Sequence, residues 1–195
     1  MTATRGGYLF FDTETTGLPR RWDAPLEDLD NWPRLVQLAY ILFDSGGNPL
    51  MEQDVIVRPD GFQIPSRATG IHGISQEMAL HRGRDLRRVL NEFAREVVGS
   101  DFLVAHNIGF DEMILGAEFT RLGVPNPLTG KQKICTMKAS RDYCGIRGTR
   151  GFKYPSLSEL YRRLFQQDFS DAHNAAADIR ATARCFWELR RRGVL

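Results

Sequence analysis

Two carboxylates stand two residues apart in the run Tyr8-Leu-Phe-Phe-Asp12-Thr-Glu14. On a strand, positions i and i+2 share a face. Asp12 and Glu14 would therefore project together from the end of an apolar strand. Like charges repel, and burial raises the cost of each. A divalent cation removes that cost, and hard oxygen ligands suit Mg²⁺ or Mn²⁺. The plainer alternative is a turn-capping Asp12 beside a solvent-facing Glu14. A third carboxylate closes the run Ala105-His-Asn-Ile-Gly-Phe-Asp111, and a fourth closes His173-Asn-Ala-Ala-Ala-Asp178. Asp111 falls in the first turn of an expected helix, where the helix dipole favours an acid whatever its function. Five residues are about 140° around a helix, so His173 and Asp178 would not share a helical face. His173 is expected on the entry turn, able to swing over a site that Asp178 faces. A solvent-facing histidine at the helix entry is the alternative. Each bland explanation works singly. Together, four carboxylates and a histidine fall at strand ends and helix starts, where α/β proteins place ligand sites.

The elements that must position them are legible in outline. Residues 8–12 form a short apolar run that reads as a buried strand. Thr16-Gly-Leu-Pro19 breaks it with turn chemistry, and 20–33 reads as a loop. Residues 35–43 give a second strand, Ser45-Gly-Gly-Asn48 a hairpin turn and 51–57 the returning strand. The Pro- and Gly-punctuated stretch 59–75 reads mostly as loop, with Ser75 capping a short helix. Leu86, Val89, Leu90, Phe93 and Val97 make a helical stripe over 85–98. A buried strand follows at 102–105, then a helix over 108–122 that ends at Gly123. A fifth strand is expected at 133–136, and the last two helices at 156–165 and 172–192. Strands first, then strands alternating with helices, predict an α/β domain with a mixed sheet.

The chain has 195 residues, 42% hydrophobic and 26% charged, which suits one compact domain. A single domain over 1–195, with its core at about 8–189, is the expectation. No apolar run approaches the ~20 residues needed to span a bilayer. Residues 1–7 do not read as a signal peptide. Cys135, Cys144 and Cys185 are widely spaced and odd in number, which fits reduced thiols and a cytoplasmic protein. A net charge of +2 does not announce nucleic-acid binding. Arg84, Arg87 and Arg88, and likewise Arg190, Arg191 and Arg192, are read as solvated helix faces.

On these motifs the chain resembles the DnaQ-like exonucleases of the DEDDh type. That group includes the proofreading subunit of bacterial replicative polymerases and oligoribonuclease. The first motif stands as Phe11-Asp-Thr-Glu-Thr-Thr-Gly-Leu18, the second as His106-Asn-Ile-Gly-Phe-Asp111, the third as His173-Asn-Ala-Ala-Ala-Asp178. Arg34-Leu-Val-Gln-Leu-Ala39 and Gly70-Ile-His-Gly-Ile74 are weaker echoes of the family's second strand and of its loop beside the substrate.

The resemblance implies an RNase H-like mixed five-stranded sheet flanked by helices. It implies 3′→5′ release of nucleoside monophosphates from nucleic-acid 3′ ends, with DNA expected and RNA the alternative. Two divalent cations, Mg²⁺ or Mn²⁺, would be held by Asp12, Glu14, Asp111 and Asp178. His173 would be the general base. Backbone N–H groups at Thr15 and Thr16 would hold the terminal nucleotide, and Leu18 would wedge against its base. Ile71 and Phe110 would line the base pocket, and Asn107 would support its turn or touch substrate. For Leu18, Ile71 and Phe110, core packing is the alternative. Trp22 and Trp32 would cover the site or pack on the sheet. No polymerase-docking tail follows the last helix, so a stand-alone enzyme is expected, with a truncated chain as the alternative. A catalytically silent module binding nucleic acid or a polymerase is the competing class. No membrane partner is expected, and the oligomeric state is left open.

Overall fold

The computed structural model describes residues 7–169 and 174–195. Five strands form a mixed sheet in the order β3-β2-β1-β4-β5. The central strand β1 (Gly7–Thr15) is antiparallel to β2 (Leu35–Asp44) and parallel to β4 (Phe102–Ala105). Beyond them, β2 is antiparallel to β3 (Pro49–Ile56), and β4 is parallel to β5 (Gln132–Cys135). The directions follow from the connections. A tight turn with Gly47 at φ 87° joins β2 to β3, as hairpin partners require. Between β3 and β4 the chain passes through α1 (Ser66–His72), α2 (Gln76–Arg82) and α3 (Leu86–Gly99).

Four helices follow the parallel strands. They are α4 (Ile108–Arg121), the short α5 (Thr136–Ala139) and α6 (Arg141–Cys144), and α7 (Leu157–Phe165). A small hairpin, β6 (Arg147–Gly148) with β7 (Gly151–Phe152), precedes α7. The last described helix is α8 (Ala175–Arg191). Helices cover both faces of the sheet. The even-numbered residues Tyr8 and Phe10 of β1 meet Phe186 of α8, with ring centroids 5.2 and 5.1 Å apart. The odd-numbered Phe11 meets Phe93 of α3 at 5.6 Å. Phe10, Phe11, Phe93 and Phe186 are all fully buried. Each contributes about 1.5–3 kcal/mol by leaving water.

The expected fold class and all five expected strands are present. Two local expectations need correction. Residues 66–72 form a helix, not loop. Pro65 presets φ at −64° before its first turn, and Gly73 closes it in the left-handed region at φ 76°. Only Ala68 and His72 of its seven residues are buried, too few for a helical period to register. Helices α5 and α6, four residues each, were missed for the same reason. The last helix is described from Ala175, capped by the Asn174 side chain on the N–H groups of Ala176 and Ala177. The expected start at 172 lies outside the described residues.

The smaller expectations divide. The Ser75 cap is present, accepting from the Met78 N–H at 3.1 Å. All three cysteines are free. Arg84 and Arg88 pair with Glu92, and Arg191 and Arg192 with Glu188, as surface helix faces do. Trp32 is buried in the core, whereas Trp22 is exposed. Among the described residues, no helix is long and apolar enough to cross a membrane.

Candidate active site

The alternation that sends Tyr8 and Phe10 onto α8 sends Asp12 and Glu14 to the same side, further along β1. Asp178 lies in the first turn of α8. Ala175 and Ala176, just before it, are buried, so the helix start seats closely on the sheet. The result is a cluster in which one ligand oxygen from each of Asp12, Glu14 and Asp178 lies within 4.8 Å of the others.

Asp111 lies outside this group of three but close enough for its charge to act on Asp12 and Glu14. Strand β4 stops at Ala105 while β1 runs on to Thr15, and the crevice beyond the ends of parallel strands is where open α/β sheets bind ligands. The turn from β4 into α4 is sharp because Asn107 adopts the left-handed region at φ 69°, which Asn tolerates better than most residues. The Asn107 carbonyl accepts from the Phe110 N–H at 2.9 Å. This turn delivers Asp111 to β1, where its Oδ1 accepts from both the N–H (3.0 Å) and the Oγ1 (2.7 Å) of Thr13. Asp111 is buried, with one carboxylate oxygen engaged by Thr13.

The electrostatics set this cluster apart. Burial holds the Asp12 carboxyl well above the usual range, and the negative charges of Asp111, Asp178 and Glu14 raise it further. Burial, then Asp178 and Asp111, push Glu14 to about 8. Burial raises Asp111 to about 7, against the lowering effect of the Thr13 hydrogen bonds. The charges acting on Asp12 are all negative. The donor set is three to four hard carboxylate oxygens with no thiolate, which fits a divalent cation such as Mg²⁺ or Mn²⁺.

A cleft of about 370 Å³ adjoins the acids. Glu14 forms part of its wall, with Thr13, Thr15, Thr16, Leu18, Ile71 and Phe110. Leu18 is 74% exposed and Ile71 55%, so core packing does not account for either. Phe110 is partly buried against the core and partly open to the cleft.

One substrate expectation changes, and of the two alternatives for Asn107 the turn-supporting one is seen. The Thr16 N–H is already engaged by the Arg34 carbonyl at 3.0 Å, and Thr16 Oγ1 accepts from the Arg34 N–H at 2.9 Å. Thr16 therefore fixes the turn and does not offer its N–H to a ligand. Asn107 supports its own turn and does not line the cleft. His173 lies outside the described residues.

Thr13 and Arg67 escaped the sequence reading as site residues, and His72 and His106 stood inside its motifs without a role of their own. Thr13, between Asp12 and Glu14, is the group that holds Asp111. Arg67 lines the cleft, and its helix was not foreseen. His72 also lines the cleft and is buried, its Nδ1 accepting from the Ile74 N–H at 3.1 Å. His106 pairs with Thr136 Oγ1 at 3.0 Å and the Pro155 carbonyl at 3.1 Å. Burial lowers its pKa to about 4, so it is neutral at physiological pH and ties three segments together.

The comparisons with known proteins agree with this geometry. A family model described as RNase_T exonuclease matches residues 9–186. Three prime repair exonuclease 2 of Mus musculus is 34% identical over 190 residues, covering 88% of this chain and 78% of that protein. DNA polymerase III subunit epsilon of Treponema pallidum is 31% identical, covering 90% of this chain and 73% of its own. The chain also matches PolC-type DNA polymerase III of Streptococcus sanguinis, but spans only 11% of it. Among solved structures, E. coli exonuclease I in complex with a dA16 oligonucleotide superposes with a TM-score of 0.76 at 20% identity. That match covers 96% of this chain and 41% of exonuclease I, and it establishes the RNase H-like fold. With a family match along nearly its whole length, the chain belongs to the RNase_T exonuclease family, among the DnaQ-like 3′→5′ exonucleases.

Proposed function

We propose that this single-domain enzyme removes nucleoside monophosphates one at a time from DNA 3′ ends. The observation that carries the reading is the convergence of Asp12, Glu14 and Asp178 beside a cleft walled by Leu18, Ile71 and Phe110. Asp12, Glu14, Asp111 and Asp178 would hold two divalent cations, Mg²⁺ or Mn²⁺. Bound there, such ions activate the attacking water and stabilise the leaving 3′-oxygen. The protein's part is to hold four acids in place against their own repulsion, with Thr13 orienting Asp111. Leu18 and Ile71 would grip the terminal base and Phe110 would stack against it, contacts that tolerate any base. His173, next to the cap of α8, would accept the water's proton. The three free thiols support a cytoplasmic setting. The similarity to a polymerase III epsilon subunit supports work alongside a polymerase.

The test uses 5′-labelled DNA and RNA strands of matched sequence, with Mg²⁺, Mn²⁺ or EDTA, beside an Asp12→Ala control. A ladder shortening from the 3′ end, faster on DNA and lost in EDTA and in the control, is expected. No ladder from folded protein would replace the enzyme with a silent binding module. A histidine base works only once it has lost its proton. Turnover should therefore rise between about pH 6 and 8, around the ordinary histidine pKa of about 6.5. His173→Ala should flatten that rise, and an unchanged profile would remove His173 from this role.

A further inference from the structure

Next to the cleft, the loop between β1 and β2 is tied down while one of its two tryptophans faces outward. Trp22 is 60% exposed. Its ring lies 5.9 Å from that of Phe110, and Phe110 lines the cleft. Exposure of a large apolar ring usually accompanies a slack segment, but this loop is anchored along its length. The Arg21 N–H donates to Asn31 Oδ1 at 2.7 Å, and Asn31 Nδ2 donates back to the Arg21 carbonyl at 2.9 Å. The Arg20 N–H donates to the Asn31 carbonyl at 3.2 Å, and Asn31 itself is buried. Trp32 Nε1 donates to the Pro25 carbonyl at 2.9 Å. Arg121 of α4 donates to the carbonyls of Leu29 and Trp32. Leu26 sits so close over α4 that a Cβ at Gly116 would lie 3.1 Å from its methyl groups. The two residues before Trp22 are thus held by a buried amide, and the indole is presented on a fixed mount.

A second pocket, of about 400 Å³, shares Thr16, Gly17 and Leu18 with the cleft and continues past Arg20, Asp30, Arg34 and Arg121. Leu18 stands between the two. Arg34 and Arg121 are paired with Glu118, and Arg20 is the pocket's remaining arginine. An exposed aromatic ring set against a ring that lines the cleft, with a pocket-lining arginine two residues before it, has the chemistry of a strand-binding surface. Rings hold bases by their faces, and guanidinium groups hold the phosphates between them.

We propose that Trp22 is the platform for a second base. Resting on the exonuclease reading above, the base on the 5′ side of the terminal nucleotide stacks on Trp22, next to Phe110. Arg20 meets the backbone there. A base can offer its face to Trp22 only when unpaired, so this subsite makes a single-stranded end of two or more nucleotides the preferred substrate.

The test titrates tryptophan emission of the full chain carrying Asp12→Asn, which halts cleavage, with thymidine 5′-monophosphate, a dT dinucleotide and a dT tetranucleotide in Mg²⁺. The dinucleotide should bind about tenfold or more tightly than the mononucleotide and quench the emission. Adding Trp22→Ala should cut that step to about threefold or less, while Trp22→Phe should keep most of it and abolish the quench. An undiminished step in Trp22→Ala, a quench that survives Trp22→Phe, or a dinucleotide no tighter than the mononucleotide would overturn the proposal. So would concentration-dependent self-association lost in Trp22→Ala with nucleotide binding unchanged, since the ring would then serve contacts between copies. Binding is read separately from cleavage. If the wild-type chain degrades no oligonucleotide but the dinucleotide step still depends on Trp22, the exonuclease reading fails and the base platform stands.

Discussion

Asp111 and Glu118 lie seven residues apart on α4, two turns along one face, and both are buried. Their charges are settled in opposite ways. Glu118 Oε1 accepts from Arg34 Nε at 2.9 Å, from the Leu35 N–H at 2.9 Å, and faces Arg121 Nη1 at 3.2 Å. The chain supplies its own cations there, and the acid fastens α4 to the start of β2. Asp111 stands among Asp12, Glu14 and Asp178, and Thr13 gives it neutral donors only. The acids around Asp111 raise one another's pKa. A divalent cation would relieve that repulsion. One helix carries a structural carboxylate at its far end and a site carboxylate at its first turn, and the neighbours decide which is which.

The sharpest way to break this contrast is to neutralise one acid on each side of it. Asp12→Asn should lower turnover by about a thousandfold, the several kcal/mol a metal's charge supplies. It should also leave the metal-free protein as stable or more stable, because a repelling charge is gone. The rise in melting temperature on adding Mg²⁺ or Mn²⁺ to the wild type should disappear. A thermal scan showing Asp12→Asn markedly destabilised without metal would remove the contrast.

Glu118→Gln should behave in reverse. Arg34 and Arg121 would lose their partner, costing about 3 kcal/mol of stability by urea unfolding, while metal-induced stabilisation persists. Retained stability would show that Glu118 is dispensable to the fold.

The third expectation concerns His106, a buried group whose charged form has no welcome. Its folded pKa of about 4 lies below the unfolded value of about 6.5. Its contribution is therefore complete above pH 6.5 and drains away as pH falls towards 4. At pH 5 the loss should reach about 2 kcal/mol relative to pH 7. His106→Gln should show a shallower fall, and parallel curves for the two proteins would argue against the assignment. The smallest effect is expected from Thr13→Val, which takes one of two donors from Asp111 and leaves the backbone N–H. Turnover should drop about tenfold, as for loss of a ligand's supporting bond, with the folding midpoint little changed. Wild-type turnover would mean that the backbone N–H suffices.

What could be read from the chain alone was whatever depends on near neighbours. The apolar run at 8–12, the strands around Ser45-Gly-Gly-Asn48 and the helical stripe at 85–98 announce themselves because their periods and turn residues are local. The acids and their order were legible for the same reason, each inside a short motif. Pairings between distant segments were not legible. Thr13 meets Asp111 across 98 positions, Arg34 meets Glu118 across 84, and Trp22 meets Phe110 across the same fold. Nothing near any of these residues specifies its partner. Which acid is neutralised, which threonine N–H is already engaged and which tryptophan faces outward were decided by how sheet and helices pack, since solvent access and opposing charge exist only once distant segments are brought together.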